Sequence, residues 1–189
     1  MSIKISEWKK AFWELVKLPR ISDIDNGLIH EITYKNTDKE PHRLPELGPA
    51  VIRYYESGNI WYIGYHLNID RHRPHELGPA SIEYFENGEI MSEFYWFNNE
   101  LHRPCEDGPA VIVRSEGFLL EKEYYVHGKK HNEYGPAKIY YYNNGNIFRL
   151  FYMINNKLHR PIEEGPAFIE YDRDGNIVDE QFWVDGVPI

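Results

Sequence analysis

Five histidines recur along this 189-residue chain, each at the start of the same short string of residues. They are His42, His72, His102, His131 and His159. Four of them are followed directly by an arginine, namely Arg43, Arg73, Arg103 and Arg160. All five are followed shortly afterwards by a glutamate, namely Glu46, Glu76, Glu106, Glu133 and Glu163. Because imidazole is a common metal ligand and general base, the pattern first suggests a metal site or an acid–base site.

The spacing of the histidines argues against a shared metal ion. Each string ends in Gly-Pro-Ala, which occurs at 48–50, 78–80, 108–110, 135–137 and 165–167. If each copy contributes two strands to a sheet, equivalent histidines lie roughly 9–10 Å apart, whereas zinc binds nitrogen at about 2 Å. We therefore predict no metal, no cofactor and no catalytic residue. The favoured interpretation is that each His-Arg and its Glu hold the Gly-Pro loop by hydrogen bonds and ion pairs.

Two alternatives for the same residues remain open at this stage. The arginines could bind carboxylates on a partner, because a guanidinium group matches a carboxylate in geometry and charge. Alternatively, one copy could have become a hydrolase or a metal-dependent site while its sisters stay structural. The fourth copy is the one that differs, because its loop is two residues shorter and has Asn132 in place of the arginine. Neutral sequence drift in a purely structural array would also produce a shortened loop without the arginine.

The residues after each Gly-Pro predict a β-hairpin. Hydrophobic residues alternate there with mostly polar ones, as in Ala50, Ile52 and Tyr54, which indicates a strand with one buried face. A glycine that suits a hairpin turn follows in each copy, at Gly58, Gly88, Gly117, Gly145 and Gly175. A second strand follows each turn and ends at residues that tolerate positive φ, such as Asn98-Asn99.

Two sets of large side chains recur on these second strands. The first is a tyrosine row, consisting of Tyr34, Tyr65, Tyr95, Tyr124, Tyr152 and Phe182. We predict that this row packs within the sheet rather than stacking on nucleic-acid bases or sugars. The second set lies on the opposite side and is a candidate interface, because a single sheet cannot bury both faces alone. Its members are Trp61, Trp96, Tyr125, Met153 and Trp183.

The chain divides into a short N-terminal segment and a tandem array. Residues 1–20 are predicted to form a helical cap, with an amphipathic helix over about 6–18. The array follows as a partial copy at 21–41 and five copies beginning near 42, 72, 102, 131 and 159, reaching residue 189. The residues from Phe182 to Ile189 are expected to leave an open sheet edge that recruits partners. The predicted fold class is all-β, an elongated single-sheet antiparallel meander of tandem hairpins, about eleven strands, with a short N-terminal α-helix.

The composition limits the classes of partner. A net charge of −9 and a pI near 5.5 oppose binding to phosphate backbones, so no nucleic acid is expected. Cys105 is the only cysteine, so no internal disulfide can form, and we interpret it as a tolerated small residue. No apolar stretch is long enough for a signal peptide or a membrane span. We therefore expect a soluble, cytoplasmic protein without membrane insertion.

The repeated motif resembles two known groups of proteins. Leu-His-Arg-Pro with Glu-x-Gly-Pro-Ala, at 101–110 and 158–167, is similar to tandem repeats in proteins of large DNA viruses that infect amoebae. The Tyr-rich, glycine-punctuated hairpin units resemble the MORN repeat family, including YwqK-type antitoxins, although the Tyr-Glu-Gly-Glu-Trp type motif of that family is absent. The resemblance implies an interaction or structural role, a viral source with a place in the virion, or an antitoxin-like inhibitor of an enzyme.

The function predicted from the sequence is a non-catalytic repeat scaffold. It would mediate protein–protein interaction or structural assembly, through a protein partner or through self-association. Catalysis at a His-Glu loop is the less favoured alternative, because a catalytic site rarely occurs five times in one chain.

Overall fold

A twelve-stranded antiparallel sheet forms the body of the protein. The computed structural model describes residues 20–25, 28–115 and 117–189. Every strand pairs with its neighbours in the chain, so the sheet is a meander without crossovers. In chain order the strands are β1 (Arg20–Asp25), β2 (Leu28–Thr33), β3 (Val51–Tyr54), β4 (Ile60–Gly64), β5 (Ser81–Tyr84), β6 (Ile90–Phe94), β7 (Val111–Ser115), β8 (Phe118–Glu123), β9 (Lys138–Tyr141), β10 (Ile147–Phe151), β11 (Phe168–Tyr171) and β12 (Ile177–Gln181).

The predicted all-β fold of tandem hairpins in one sheet is confirmed, with one strand more than the sequence indicated. The additional strand comes from the first hairpin, in which β1 pairs with β2 ahead of the first full copy. The predicted helix over 6–18 lies outside the described residues. In the part of the chain that the structure describes, no helix is long and apolar enough to cross a membrane.

Five short hairpins alternate with the long ones. The sequence predicts second strands that continue to the Asn98-Asn99 type of turn, but each sheet strand ends just before the tyrosine row and a separate hairpin follows. The short hairpins pair His66–Leu67 with Asp70–Arg71, Trp96–Phe97 with Glu100–Leu101, Tyr125–Val126 with Lys129–Lys130, Met153–Ile154 with Lys157–Leu158, and Trp183–Val184 with Val187–Pro188.

Left-handed backbone closes the short hairpins, as the sequence predicts. In the second of them φ is 50° at Asn98 and 65° at Asn99, the conformation of a tight turn that matches strand twist. The first hairpin places Ile69 at φ 71°, although β-branched residues rarely adopt this region. That turn therefore holds a strained residue where its sister turns have asparagine or glycine.

The five loops that carry the repeated string differ in one copy. Loops one to five are defined as residues 42–49, 72–79, 102–109, 131–136 and 159–166. Four of them contain a three-residue 3₁₀ turn, at Pro45–Leu47, His75–Leu77, Cys105–Asp107 and Ile162–Glu164. Loop four, all of which the structure describes, has no such turn.

Neither face of the sheet is covered by a second layer of the described residues, so the expected single buried face is not what forms. Aliphatic side chains at opposed strand positions form an isoleucine stripe on one face, and Glu93 and Lys122 interrupt it on either side of Ile112. Its members are Ile32, Ile52, Ile63, Ile82, Ile112, Ile139, Leu150 and Ile169. Most of these side chains are half-buried. The alanines of Gly-Pro-Ala are fully buried. The opposite face carries cross-strand ion pairs such as Arg53–Glu31 and Arg149–Glu170.

The last strand of the sheet is β12, and all five of its residues are exposed. Residues 182–189 do not extend this edge, because they fold into the last short hairpin, where the Ile189 N–H donates to the Phe182 carbonyl at 3.1 Å. The expected open edge therefore lies at β12 rather than at the final eight residues.

Candidate functional site

Each arginine of the repeated string lies over a ring of the tyrosine row. The guanidinium carbon of Arg73 is 3.9 Å from the centre of the Tyr65 ring, and that of Arg103 is 4.1 Å from Tyr95. The pairs Arg43–Tyr34 and Arg160–Tyr152 repeat this geometry at 4.0 and 3.9 Å. A cation over an aromatic face contributes about 0.5–1 kcal/mol at exposed sites. The arginines therefore cover the tyrosine row, on a face that no second layer of the described residues covers.

The same arginines close their own loops. Nη1 of Arg73 donates to the Pro79 carbonyl at 2.9 Å, and the three other arginines make the equivalent bond at 3.2 Å. Gly78 adopts φ 109°, and a Cβ at this position would lie 3.1 Å from Arg73 Nη1. Glycine is therefore required both by the backbone conformation and by the close approach of the guanidinium group.

The histidines contact the following copy, not their own Gly-Pro segment. The backbone N–H of Asn98 donates to His72 Nδ1 at 3.3 Å, and that of His127 donates to His102 Nδ1 at 3.2 Å. Equivalent bonds join Asn68 to His42, Asn155 to His131 and Asp185 to His159. Each histidine thus contacts the turn of the next short hairpin through Nδ1, which ties successive copies together. At His72 and His159 this atom also lies 2.8 Å from Asn98 Oδ1 and 3.0 Å from Asp185 Oδ1, so the imidazole tautomer decides which group donates.

The glutamates of the string stand apart from this network. Their side chains are exposed, by 68% for Glu76 and 66% for Glu133, and their contacts are with His75 at 3.5 Å and His131 at 3.3 Å. Among the residues that the structure describes, Glu46, Glu106 and Glu163 have no ion pair, and no loop glutamate pairs with a repeat arginine. The expected Arg–Glu ion pairs within the loops are therefore not present in this geometry.

The histidines do not converge on a metal-binding geometry. Within the described residues no group of three or more His, Cys, Asp or Glu side chains could hold a metal ion. His102 stacks on His127, a histidine outside the repeated string, with ring centres 4.3 Å apart. Burial lowers the pKa of His102, and the neighbouring His127 and His75 lower it further. This pair therefore packs ring against ring between two copies.

Four of the candidate interface residues occupy one equivalent position. Trp96, Tyr125, Met153 and Trp183 each begin a short hairpin. Their carbonyls accept the backbone N–H of the second residue of the preceding loop, as in Arg73 to Trp96 at 3.1 Å. They are half-buried. Trp61 does not belong to this set, because it lies within β4, 5.7 Å from the Arg53 guanidinium group.

A charge cluster on the face opposite the isoleucine stripe is not evident from the sequence. Glu123 accepts from Lys130 at 2.7 Å and from Lys138 at 2.6 Å, and Lys138 also reaches Glu121. Burial opposes ionisation of the Glu123 carboxyl, but the bonds from both lysines hold its pKa at about 2. The cluster depends on the strand register, which pairs Glu123 of β8 with Lys138 of β9.

Cys105 connects loop three to loop four. Its Sγ donates to the His131 carbonyl at 3.3 Å. Burial raises the pKa of the thiol, which disfavours the thiolate needed for nucleophilic chemistry. In this position the side chain acts as a small packing residue between loops.

Loop four has a different construction, and a cleft lies beside it. Asn132 Nδ2 donates to the Pro136 carbonyl at 3.0 Å, which replaces the arginine bond, while its Oδ1 accepts from the Tyr134 N–H at 3.0 Å. The cleft between loops four and five has a volume of about 450 Å³. It is lined chiefly by Asn132, Glu133, Tyr134, Tyr152, Arg160 and Glu164.

Comparisons with models of protein families, with curated proteins and with solved structures find no match for this chain.

Proposed function

We propose that this protein is a non-catalytic scaffold that binds a protein partner along its tandem array. The observation that carries the proposal is that the residues of the repeated string differ in their contacts. The histidines and arginines are engaged in contacts that build the array, whereas the glutamates project from every loop with few or no structural partners. A residue type that recurs in all five copies without stabilising the array is available to a partner.

The charge of this loop edge indicates the chemistry of the partner. Successive loop glutamates are two strand spacings apart, roughly 9–10 Å, so they form an acidic row along one edge of the sheet. With a net charge of −9, the protein would attract a basic protein surface and repel nucleic-acid phosphates. Such a partner would meet the scaffold inside the cell, in the cytoplasm or, for a viral protein, in the virion.

Self-association is the second candidate, and the exposed strand β12 is the observation that favours it. Ile177 and Val178 are exposed by 54% and 57%, and an edge strand presents unpaired backbone groups. The same strand carries Asp179 and Glu180, which would face like charges on a second copy. Charge repulsion at this edge therefore favours a different protein as the partner.

The proposal is tested by reversing the charge of the loop edge. A triple variant, Glu46→Lys, Glu106→Lys and Glu163→Lys, is compared with a control triple in the hairpin turns at the other edge, Glu56→Lys, Glu86→Lys and Asp174→Lys. Affinity capture from the native cell, quantified by mass spectrometry, should recover the same partner with the wild type and the control triple. With the loop triple, the amount of that partner recovered should fall at least tenfold.

Thermal unfolding of both triples provides the check on folding, since all six substituted side chains are exposed. The proposal is wrong if both triples retain the partner equally. It is also wrong if the wild type recovers nothing beyond what an unrelated acidic protein recovers.

A further inference from the structure

The cleft beside loop four arises from a missing structural element. In loops one, two, three and five, a 3₁₀ turn fills the space between the proline and the Gly-Pro segment. Loop four lacks two residues and closes through Asn132 instead. The glycines of the other loops have φ between 109° and 116°, whereas Gly135 does not adopt the left-handed region. The shortened loop leaves about 450 Å³ open against loop five.

Two acidic side chains line this cleft from different loops. Glu133 belongs to loop four and Glu164 to loop five, and both are exposed. Glu133 has only His131 beside it, at 3.3 Å, and Glu164 has no ion pair within the described residues. The cleft is therefore bounded on two sides by carboxylates whose charge is not neutralised by a lysine or an arginine.

The arginine that lines the cleft offsets only one of the two carboxylate charges, and loop five holds it in place. The Arg160 guanidinium group lies 3.9 Å from the centre of the Tyr152 ring, and its Nη1 donates to Pro166 at 3.2 Å. These are the contacts that every repeat arginine makes, so Arg160 belongs to the scaffold of loop five. The net formal charge of the two carboxylates and this one arginine is −1.

An aromatic ring at the rim adds a stacking surface. Tyr134 is 75% exposed, the largest exposure of any large hydrophobic or aromatic side chain in the described residues. Its backbone N–H is held by Asn132 Oδ1, which fixes the position of the residue although the ring is free. A planar cation can stack on such a ring while it donates to the carboxylates beside it.

We propose that this cleft binds an arginine side chain presented by a protein partner; this proposal rests on the scaffold function proposed above and identifies its anchor point. A guanidinium group fits better than an ammonium group, because it is planar, stacks on aromatic rings and carries five donors in a fixed fork. The volume exceeds that of one side chain and lies in the range of small-ligand sites, so flanking backbone of the partner also enters. Among the five loops, all of which the structure describes, loop four alone lacks the 3₁₀ turn.

The test uses the full ¹⁵N-labelled chain and two peptides. The probe is acetyl-Gly-Arg-Gly-amide, and the matched control peptide has citrulline, an uncharged isostere, in place of arginine. The arginine peptide should give saturable amide shifts confined to 132–136 and 152–164. The citrulline peptide should bind at least fivefold more weakly.

Variants of the protein separate the cleft from general acidity. The double variant Glu133→Gln and Glu164→Gln should lose the saturable shifts, whereas Glu46→Gln with Glu106→Gln should keep them. A third variant replaces residues 132–134 with the five residues of loop five, 160–164, and so restores the full loop. It should fold, fill the cleft and abolish binding of the arginine peptide.

Three results would overturn the proposal. These are equal binding of the citrulline peptide, shifts spread over the other acidic loops, and binding that survives in the restored-loop variant. If the arginine peptide does not bind while the loop charge reversal still abolishes capture of the partner, the proposed arginine site is wrong and the scaffold function stands. If the peptide binds but no partner responds to charge reversal, the cleft stands and the scaffold function is wrong.

Discussion

At the level of single residues, each repeat arginine combines two contacts in one side chain. A planar guanidinium group stacks on a tyrosine and donates to a proline carbonyl in the same position, as Arg73 does with Tyr65 and Pro79. Loop four shows the two contacts separated. There Asn132 keeps the bond to the proline carbonyl, while Tyr124 lacks an arginine over its ring within the described residues.

Substitution of Arg73 by methionine should therefore be more damaging than neutralisation of the nearby loop acid. Arg73→Met removes a hydrogen bond and a cation–π contact and should lower the unfolding free energy by about 1–2 kcal/mol. The loss is no larger because the substitution also removes Nε, a buried donor that has no hydrogen-bond partner in the wild type. Glu76→Gln, at a side chain 68% exposed, should change it by less than about 0.5 kcal/mol. Denaturant unfolding of both variants measures the difference, and an equal or larger loss for Glu76→Gln would contradict the role given to Arg73.

The sequence predicts a structural role for the residues of the repeated string, but it does not predict which residues they contact. Repetition and strand spacing argue against a shared metal ion for the histidines. The Nδ1 bond from His72 to Asn98 joins residues of different copies, so it depends on how the short hairpins stack. No local pattern in the sequence carries that information. The exposed glutamates illustrate the same limit, because a recurrent acid beside an arginine predicts an ion pair that the loop geometry does not form.

At the level of elements, the long hairpins follow from the sequence and the short ones do so only in part. Alternation over β3 or β5 extends for four residues, which is enough to reveal a two-residue period. A two-residue strand has no period of its own, so Trp96–Phe97 reads as a continuation of β6. Its turn is nevertheless predictable, because Asn98-Asn99 favours left-handed backbone.

The first short hairpin contains a residue whose replacement should make the protein more stable. Ile69 has φ 71°, a conformation that is costly for a β-branched side chain, and it is 56% exposed, so little packing is lost on its removal. Ile69→Gly should raise the unfolding free energy by about 1 kcal/mol, after the entropy of the more flexible unfolded chain is included. Asn99→Gly, at an equivalent position already occupied by a tolerant residue, is the control and should change it little. If both variants behave alike in denaturant unfolding, Ile69 is not strained.

At the level of the whole molecule, the protein is an array in which each copy is joined to its neighbours. Sheet pairing, the histidine bonds and the loop contacts of Cys105 all link adjacent copies. Stability in such an array is close to a sum of copies and their interfaces, so no single core decides folding. Period and alternation made this architecture predictable. The half-burial of both sheet faces was not predictable, because it depends on the absence of a second layer among the described residues.

Removal of one complete copy tests this account most directly. Deletion of residues 72–101 joins Arg71 to His102, a histidine equivalent to the one it replaces. We expect a folded protein with unchanged circular dichroism per residue, and with a maximum dimension in small-angle X-ray scattering that is shorter by two strand spacings, roughly 9–10 Å. A shortened chain that unfolds, aggregates or keeps the parent length would contradict an array built from interchangeable copies.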